Sequence, residues 1–412
     1  MARTVAVLPA GSRLTDFVSL GVVAKLFPEP LIREILEMTG TASQRHRDLP
    51  AHVVVYYVIA LGLYMQCSYR EVLRMLVEGV RWLAGPDVKA TLPGKSAITQ
   101  ARARLGMAPL RVLYEAVVRP IATKATIGAH FRDRWRVVSM DGTTFDVGDT
   151  EENERYFGRP GSSRGESAFP KMRLLGLIET GTHVIFGAVF GRYREHEVRL
   201  AENVVGALEK GMLCLADRGF LGYDLWQMAT LKGADLLWRV KSTAKFPKDK
   251  TLSDGSYLSH IRWNSHCRSK DRTTIPVRVI EYELPAVEQV KGEKNETKYR
   301  LVTTILDPKQ AAAKELAALY HERWEIENAL DELKTHLRGA RIVLRSKTPE
   351  LVLQEGYGLL LAHYAVRGLM HEAALTRARD PDSVSFTHAL AVVRRTLPHM
   401  AAIPPSGPGI GA

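Results

Sequence analysis

The stretch YHERWEIENALDELK, residues 320–334, decides how this chain is read. It has strong helix formers throughout, and at about 100° per residue its polar groups can be placed on a wheel. With Tyr320 at zero, Arg323 falls near roughly 300°, Glu327 near roughly 340° and Lys334 near roughly 320°. One arc of about 60° therefore carries a phenol, a guanidinium, a carboxylate and an ammonium. Leu316, Leu319, Leu330 and Leu337 border the arc, whereas Glu322, Glu325 and Glu332 lie away from it and only Asp331 comes close. An ordinary solvated helix face has no reason to set Tyr and Arg beside its apolar edge. The grouping suits an anionic ligand: Tyr320, Arg323 and Lys334 for phosphate oxygens, Glu327 for a metal ion.

The rest of the chain bounds that reading. Its 412 residues are too many for one ordinary core, so two or three domains are expected. Hydrophobic content of 46% and charged content of 25% are those of a globular protein. The net charge of +12 favours a polyanionic partner without naming it. Cys67, Cys214 and Cys267 are far apart and form no CxxC pair. They give neither a zinc site nor a disulfide framework, and they fit a reducing cytoplasm. No secretory leader pattern is visible, and the longest apolar run, from Val53, is about 14 residues, too short to span a bilayer.

Up to about residue 128 the pattern is helical. Segments such as LIREILEMTG, AHVVVYYVIALGLYM after Pro50, and SYREVLRMLVEGVRWLA end at glycines or start at a capping serine. In PGKSAITQARARLG a helix is expected from a Ser96 cap to a Gly106 stop, with Gln100, Arg102 and Arg104 available to DNA. Gly94-Lys95-Ser96 is not a Walker motif, because Lys89 stands where the upstream glycine is required. From about 129 the period changes. WRVVSMDGTTFDV is a strand ending near Asp141, KMRLLGLIETGTHVIFGAVFG two strands around a turn, and MLCLADRGF a short strand meeting Asp217. Helical EVRLAENVVGALEKG and GYDLWQMATLKG are interleaved with them. Residues from about 241 to 300 hold short β-prone pieces, an inserted segment. A helical region covers 341–412, and its last residues, IPPSGPGIGA, read as a disordered tail.

Asp141 and Asp217 close two strands, and Glu327 sits on a helix after the sheet. Each aspartate alone also fits a turn. Three carboxylates from separate elements can instead meet at a sheet edge and hold two Mg²⁺ ions, which clamp an in-line phosphoryl displacement. Smaller signals read as structural: REHE around His196 as a solvated helix start, and Trp238 and Trp263 as core. Lys171 and Arg173 are minor candidates for backbone contact.

Y-x2-R-x3-E-x6-K, with SMDGTTFDV and CLADRGF in order before it, resembles the DDE transposases of the fourth family of bacterial insertion sequences. PGKSAITQARARLG and RPGSSRGESAFPKMRLLGL are similar to further segments of that family, so the resemblance runs from about residue 90 to 340. It implies an α/β chain: a helical DNA-end-binding domain over 1–128, an RNase H-like catalytic core over 129–340 with the β-rich insertion, and the helical C-terminal region. Asp141 and Glu327 would join Asp217, which lies roughly 110 residues before Glu327, as ligands of two Mg²⁺, with Mn²⁺ able to substitute. Tyr320, Arg323 and Lys334 would grip phosphates. The implied activity is binding of terminal inverted repeats, nicking, excision through a DNA hairpin, and strand transfer to target DNA. The protein would act as a homodimer on double-stranded DNA, without a membrane, in the bacterial cytoplasm at the nucleoid. Where one branch of the family has a Trp to receive a flipped base, this chain has Tyr299. Two other readings are a catalytically silent transposase-derived DNA-binding protein and a different RNase H-like nuclease or resolvase.

Overall fold

The computed structural model describes residues 21–44, 49–84, 93–162, 165–263, 267–268, 273–283, 298–323, 325–339 and 342–396. The C-terminal IPPSGPGIGA and position 89 lie outside them. Six helices come first: α1 (Gly21–Leu26), α2 (Glu29–Met38), α3 (Ala51–Leu63), α4 (Tyr69–Ala84), α5 (Lys95–Leu105) and α6 (Ala108–Val117). Pro28 and Pro50 stand just before α2 and α3 in extended conformation, where a missing N–H costs nothing. The cap of α5 is Gly94 rather than Ser96, whose hydroxyl instead accepts from Gln100 Nε2 at 3.3 Å. Gly106 does stop that helix, at φ 68°.

A large sheet follows: β1 (His130–Phe131), β2 (Trp135–Asp146), β5 (Lys171–Glu179), β6 (Ile185–Arg192), β7 (Met212–Ala216), β8 (Asp235–Arg239), β9 (Lys250–Thr251), β10 (Tyr257–Ile261), β11 (Ile275–Glu283) and β12 (Lys298–Thr303). A short hairpin, β3 (Gly161–Ser162) and β4 (Gly165–Glu166), stands apart within the loop expected there. The order is β6-β5-β2-β7-β8-β12-β11-β10-β9, with β1 beside β2. β2, β5 and β6 form an antiparallel meander, β7 pairs parallel with β2, and β8 pairs parallel with β7. Parallel pairing needs crossovers, which α8 (Glu197–Val204) and α9 (Tyr223–Leu231) provide. The inserted segment does not form a separate unit. β12 pairs antiparallel with β8, so the insertion widens the same sheet.

Side chains alternate along the strands, and the two faces enter different cores. Val137, Leu213, Leu215, Leu237 and Leu301 pack with Leu316, Leu319 and Tyr320 of α10 (Ala313–Glu322). Val138, Met140, Cys214, Ala216 and Trp238 face the other way, toward α8, α9, α11 (Glu325–Asp331) and α12 (Pro349–Thr376). α7 (Glu151–Phe157) follows β2, and α13 (Phe386–Thr396) ends the described chain.

Every residue of α3 is buried, because α12 crosses it closely. The crossing rests on glycines: a Cβ at Gly62 would stand 2.9 Å from Ala362 Cβ, and one at Gly358 would stand 2.7 Å from the Val58 carbonyl oxygen. Small residues let the two backbones approach, and long side chains around them fill the rest. One continuous core thus joins the N-terminal helices, one face of the sheet and the C-terminal helices.

Candidate active site

The parallel register of β2 and β7 pairs Met140 with Ala216, so Asp141 and Asp217 follow as neighbours on adjacent strands. By strand alternation both belong to the face with Val137 and Leu215, the face covered by α10. β2 does not end at Asp141, as its sequence suggests, but runs to Asp146 by pairing with β5. Gly142 allows this, since a Cβ there would lie 2.8 Å from the Leu174 carbonyl oxygen. Each aspartate accepts from the backbone N–H that follows it: Asp141 Oδ1 from Gly142 at 2.7 Å and Asp217 Oδ1 from Arg218 at 2.6 Å. These bonds fix one oxygen of each carboxylate and turn the other toward the site.

The helix expected across 320–334 is broken. α10 ends at Glu322, Arg323 turns, α11 restarts at Glu325, and residues Glu332–Leu337 form a π-helical turn. Such turns recur at functional sites because they re-aim side chains. Tyr320 is buried, and its hydroxyl donates to the Ala216 carbonyl at 3.3 Å, just before Asp217. That corrects its expected position: in this conformation it braces β7 and does not offer its hydroxyl to a phosphate. Arg323 lies over the Tyr320 ring, 5.7 Å from its centroid, and its Nη1 is 3.5 Å from Asp141 Oδ2. Burial works against its charge, yet Tyr320, Asp141, Asp217 and Glu327 together hold its pKa above the usual arginine value. Arg323 therefore stands among the three acids, and the grouping of Tyr320, Arg323 and Glu327 survives the break. Lys334 does not join it. The π-turn places Lys334 by Arg338, Lys171 and Asp146, where burial and then these cations lower its pKa.

Burial pushes Asp141 up to about 6, with Asp217 and Glu197 adding to the rise against the Gly142 N–H and Arg323. The site thus holds more negative charge than Arg323 offsets. An all-oxygen donor set with excess negative charge fits a hard divalent cation. Glu197, at the start of α8 and within the REHE string read as a solvated helix start, is a fourth acid near the site; it is ion-paired with Arg173. Arg173 and Lys171 are engaged within the fold, Lys171 Nζ lying 2.6 Å from Asp146 Oδ1.

Two other expected contacts are corrected. Arg102 is 1% exposed, and its guanidinium donates to Gln354 Oε1, the Tyr69 hydroxyl, Ser346 Oγ and the Leu351 carbonyl at 2.8–3.1 Å. It ties α5 to α12 and leaves nothing for DNA, whereas Arg104 is exposed. Tyr299 is also buried, packed under the Arg239 guanidinium at 4.4 Å and stacked with Tyr282 at 5.6 Å. Its ring presents no face to a base. Trp238 is core, as expected, in edge contact with Trp226. Beside the buried Arg102 lies a cleft of about 430 Å³, lined by Tyr69 and Leu351 together with Arg70, Lys95 and Lys347, residues distant in sequence.

A mixed sheet flanked by helices, with Asp141 and Asp217 on adjacent parallel strands and Arg323 beside Asp141, fits an RNase H-like enzyme acting on DNA. The comparisons make the class specific. Residues 17–115 match the insertion element 4 transposase N-terminal model, and residues 134–364 match the transposase DDE domain. The chain is 28% identical to the transposase InsG for insertion sequence element IS4 of Escherichia coli K12, over 90% of this chain and 81% of that protein. It is 29% identical to the putative transposase InsZ of the same organism, over 58% of this chain and 81% of that protein. The chain belongs to the DDE transposases of the IS4 family, metal-dependent enzymes that act on DNA. Among the described residues, no helix is long and apolar enough to cross a membrane.

Proposed function

We propose that this chain excises and inserts an insertion sequence: it binds the terminal inverted repeats, nicks each end, passes through a hairpin and transfers the ends to target DNA. The observation that carries this is the placement of Asp141 and Asp217 at adjacent parallel strands with Arg323 among them and Glu327. Asp141, Asp217 and Glu327 would hold two Mg²⁺, or Mn²⁺ in their place. When bound, such ions activate the attacking oxygen and stabilise the leaving one. Arg323 neutralises the scissile phosphate from the side of α10, held in place by Tyr320. Lys334, half-buried near Lys171, would reach an adjoining phosphate farther along the bound strand.

The net charge of +12, the exposed Arg104, and Arg70 and Lys95 at the cleft support a DNA-end-binding role for the region up to residue 128. The catalytic region would be 129–340, with 341–412 bracing it through α12. The protein would act as a homodimer on two ends, in the cytoplasm at the nucleoid. If a flipped base stabilises the hairpin, Tyr299 serves it only after leaving its packing against Arg239 and Tyr282. The test is a supercoiled plasmid carrying the element's two ends, incubated with purified protein and Mg²⁺. Nicked, hairpin and joined products in sequence support the reading. Binding without any strand cleavage would favour a silent DNA-binding descendant, and cutting of branched DNA irrespective of the ends would favour a resolvase.

A further inference from the structure

A second group of metal-ligating side chains lies on the far side of α11. His183, Glu325 and Asp382 each offer one ligand atom, and these atoms all lie within 4.8 Å of one another. Among the described residues this is the one group of histidine, cysteine and acids that converges so closely. The three come from separate elements: the β5–β6 turn, the start of α11, and the short 3-10 turn Pro381–Ser383 between α12 and α13. Glu325 and Glu327 are two residues apart on a helix, so they point about 200° from each other and serve different sites.

We infer that His183, Glu325 and Asp382 form a binding site for a divalent cation of the Zn²⁺ or Mn²⁺ type, separate from the catalytic acids. His183 is 4% exposed, and its Nε2 has no hydrogen-bond partner. That nitrogen points into the cluster, 3.3 Å from Asp382 Oδ1. A buried imidazole nitrogen without a hydrogen-bond partner is costly unless something binds it. Its other nitrogen, Nδ1, lies 3.1 Å from Glu332 Oε1 and also touches the Arg367 guanidinium. The Arg367 guanidinium can only donate to Nδ1, so in this conformation the ring proton lies on Nε2, toward Asp382; a cation takes its place when Arg367 turns wholly to Glu332 and the proton moves to Nδ1 to be donated to Glu332, the carboxylate–histidine–metal relay.

Charge suits the cation. The buried Arg367 is paired with Glu332 and stands farther off, at 3.9 Å, from Asp382, so Glu325 and Asp382 give a divalent ion two carboxyl ligands whose charge it balances as they release any proton they hold. One nitrogen and two carboxylates suit the borderline metals rather than Mg²⁺. Asp382 is 28% exposed at its side chain, which leaves an entry path and room for water ligands. The ion would clip the β5–β6 turn and the C-terminal helices onto the first turn of α11, the helix that carries Glu327. It would fix that helix without touching DNA.

The test uses the full chain with Asp141→Asn, Asp217→Asn and Glu327→Gln, stripped with chelator and dialysed against Mn²⁺. One retained Mn²⁺ per chain, showing histidine nitrogen coupling in pulsed electron paramagnetic resonance, is the expected result. The catalytic acids offer only oxygen, so nitrogen coupling belongs to this site alone. Adding His183→Asn, a residue that tolerates the positive φ of 56° at this turn, should abolish both the coupling and the retained ion, as should Asp382→Asn. No Mn²⁺ retained, Mn²⁺ without nitrogen coupling, or coupling that survives His183→Asn would each overturn the assignment. If circular dichroism shows the triple variant unfolded, the same coupling is sought in the unsubstituted chain, where its absence is equally decisive.

Discussion

Arg102 and Arg104 sit two residues apart in one helix, and the structure gives them opposite roles. Replacing Arg102 by Ala removes a buried guanidinium with four hydrogen bonds at 2.8–3.1 Å. Gln354, Ser346 and the Leu351 carbonyl lose a partner where water does not reach easily, at about 1–3 kcal/mol for each group left unpaired. Relief from burying a positive charge offsets part of this. A net loss of about 3–5 kcal/mol results, a large share of the roughly 5–15 kcal/mol that holds a folded domain. Arg104→Ala removes an exposed side chain and should cost under about 0.5 kcal/mol. Its effect should appear in DNA affinity, with the slope of log affinity against log salt falling by about 0.9 for one lost phosphate contact. Urea unfolding of both variants, with end binding measured across a salt series, separates the two. An Arg102→Ala protein that unfolds at the wild-type urea concentration and loses about 0.9 of salt slope would refute the burial argument.

Glu332→Gln should destabilise the protein by about 3–5 kcal/mol at pH 7, because Arg367 is left buried without its carboxylate. Burial opposes the Glu332 charge, but His183, His363 and Arg367 hold its pKa well below the usual range. Its stabilisation is therefore complete above the unfolded pKa of about 4.3 and fades below it, so the gap between wild type and variant, read from urea midpoints, should narrow as pH falls below about 4.3. Tyr299→Ala should lower the melting temperature and reduce nicking and later steps together, as loss of a buried ring does; a selective defect in hairpin closure on a denaturing gel would show instead that the ring leaves its pocket. Arg323→Ala should slow nicking by about 10²-fold while end binding changes little, since one charge-assisted contact at the reacting phosphate is worth about 3 kcal/mol. Single-turnover cleavage with saturating protein checks this.

The sheet was legible because its strands carry simple signals. MLCLA is apolar without a break, as a strand buried on both faces must be, and KMRLLGLIE and IFGAVFGR flank a plain turn. Asp217 does follow the end of its strand and Glu327 does lie on a helix after the sheet, but Asp141 lies inside β2, which pairing with β5 carries on to Asp146. What misled was the assumption of one ideal helix over 320–334. The break at Arg323 and the π-turn at 332–337 depend on contacts with Asp141, Tyr320 and the buried Glu332 network, and none of these is local in sequence. Arg102 looked like a surface arginine because α5 is polar overall, and only α12, some 250 residues on, covers it. Tyr299 sat at the family's aromatic position, but burial by Arg239 and Tyr282 comes from neighbouring strands. The cluster of His183, Glu325 and Asp382 had no sequence signal at all, since its members are scattered over three elements.

The assignment of Asp141, Asp217 and Glu327 as the catalytic carboxylates is tested most directly by Glu327→Gln, compared with Glu325→Gln, on a plasmid bearing the element's ends in Mg²⁺. The substitution is nearly isosteric and removes one metal ligand, so end binding in a gel-shift assay should stay within a few-fold of wild type. First-strand nicking should fall by about 10³-fold or more, equivalent to about 4 kcal/mol of lost transition-state stabilisation. Glu325→Gln should retain nicking to within about tenfold, because that side chain faces away from the acids. Nicking by Glu327→Gln at the wild-type rate would place the reaction on a different set of carboxylates.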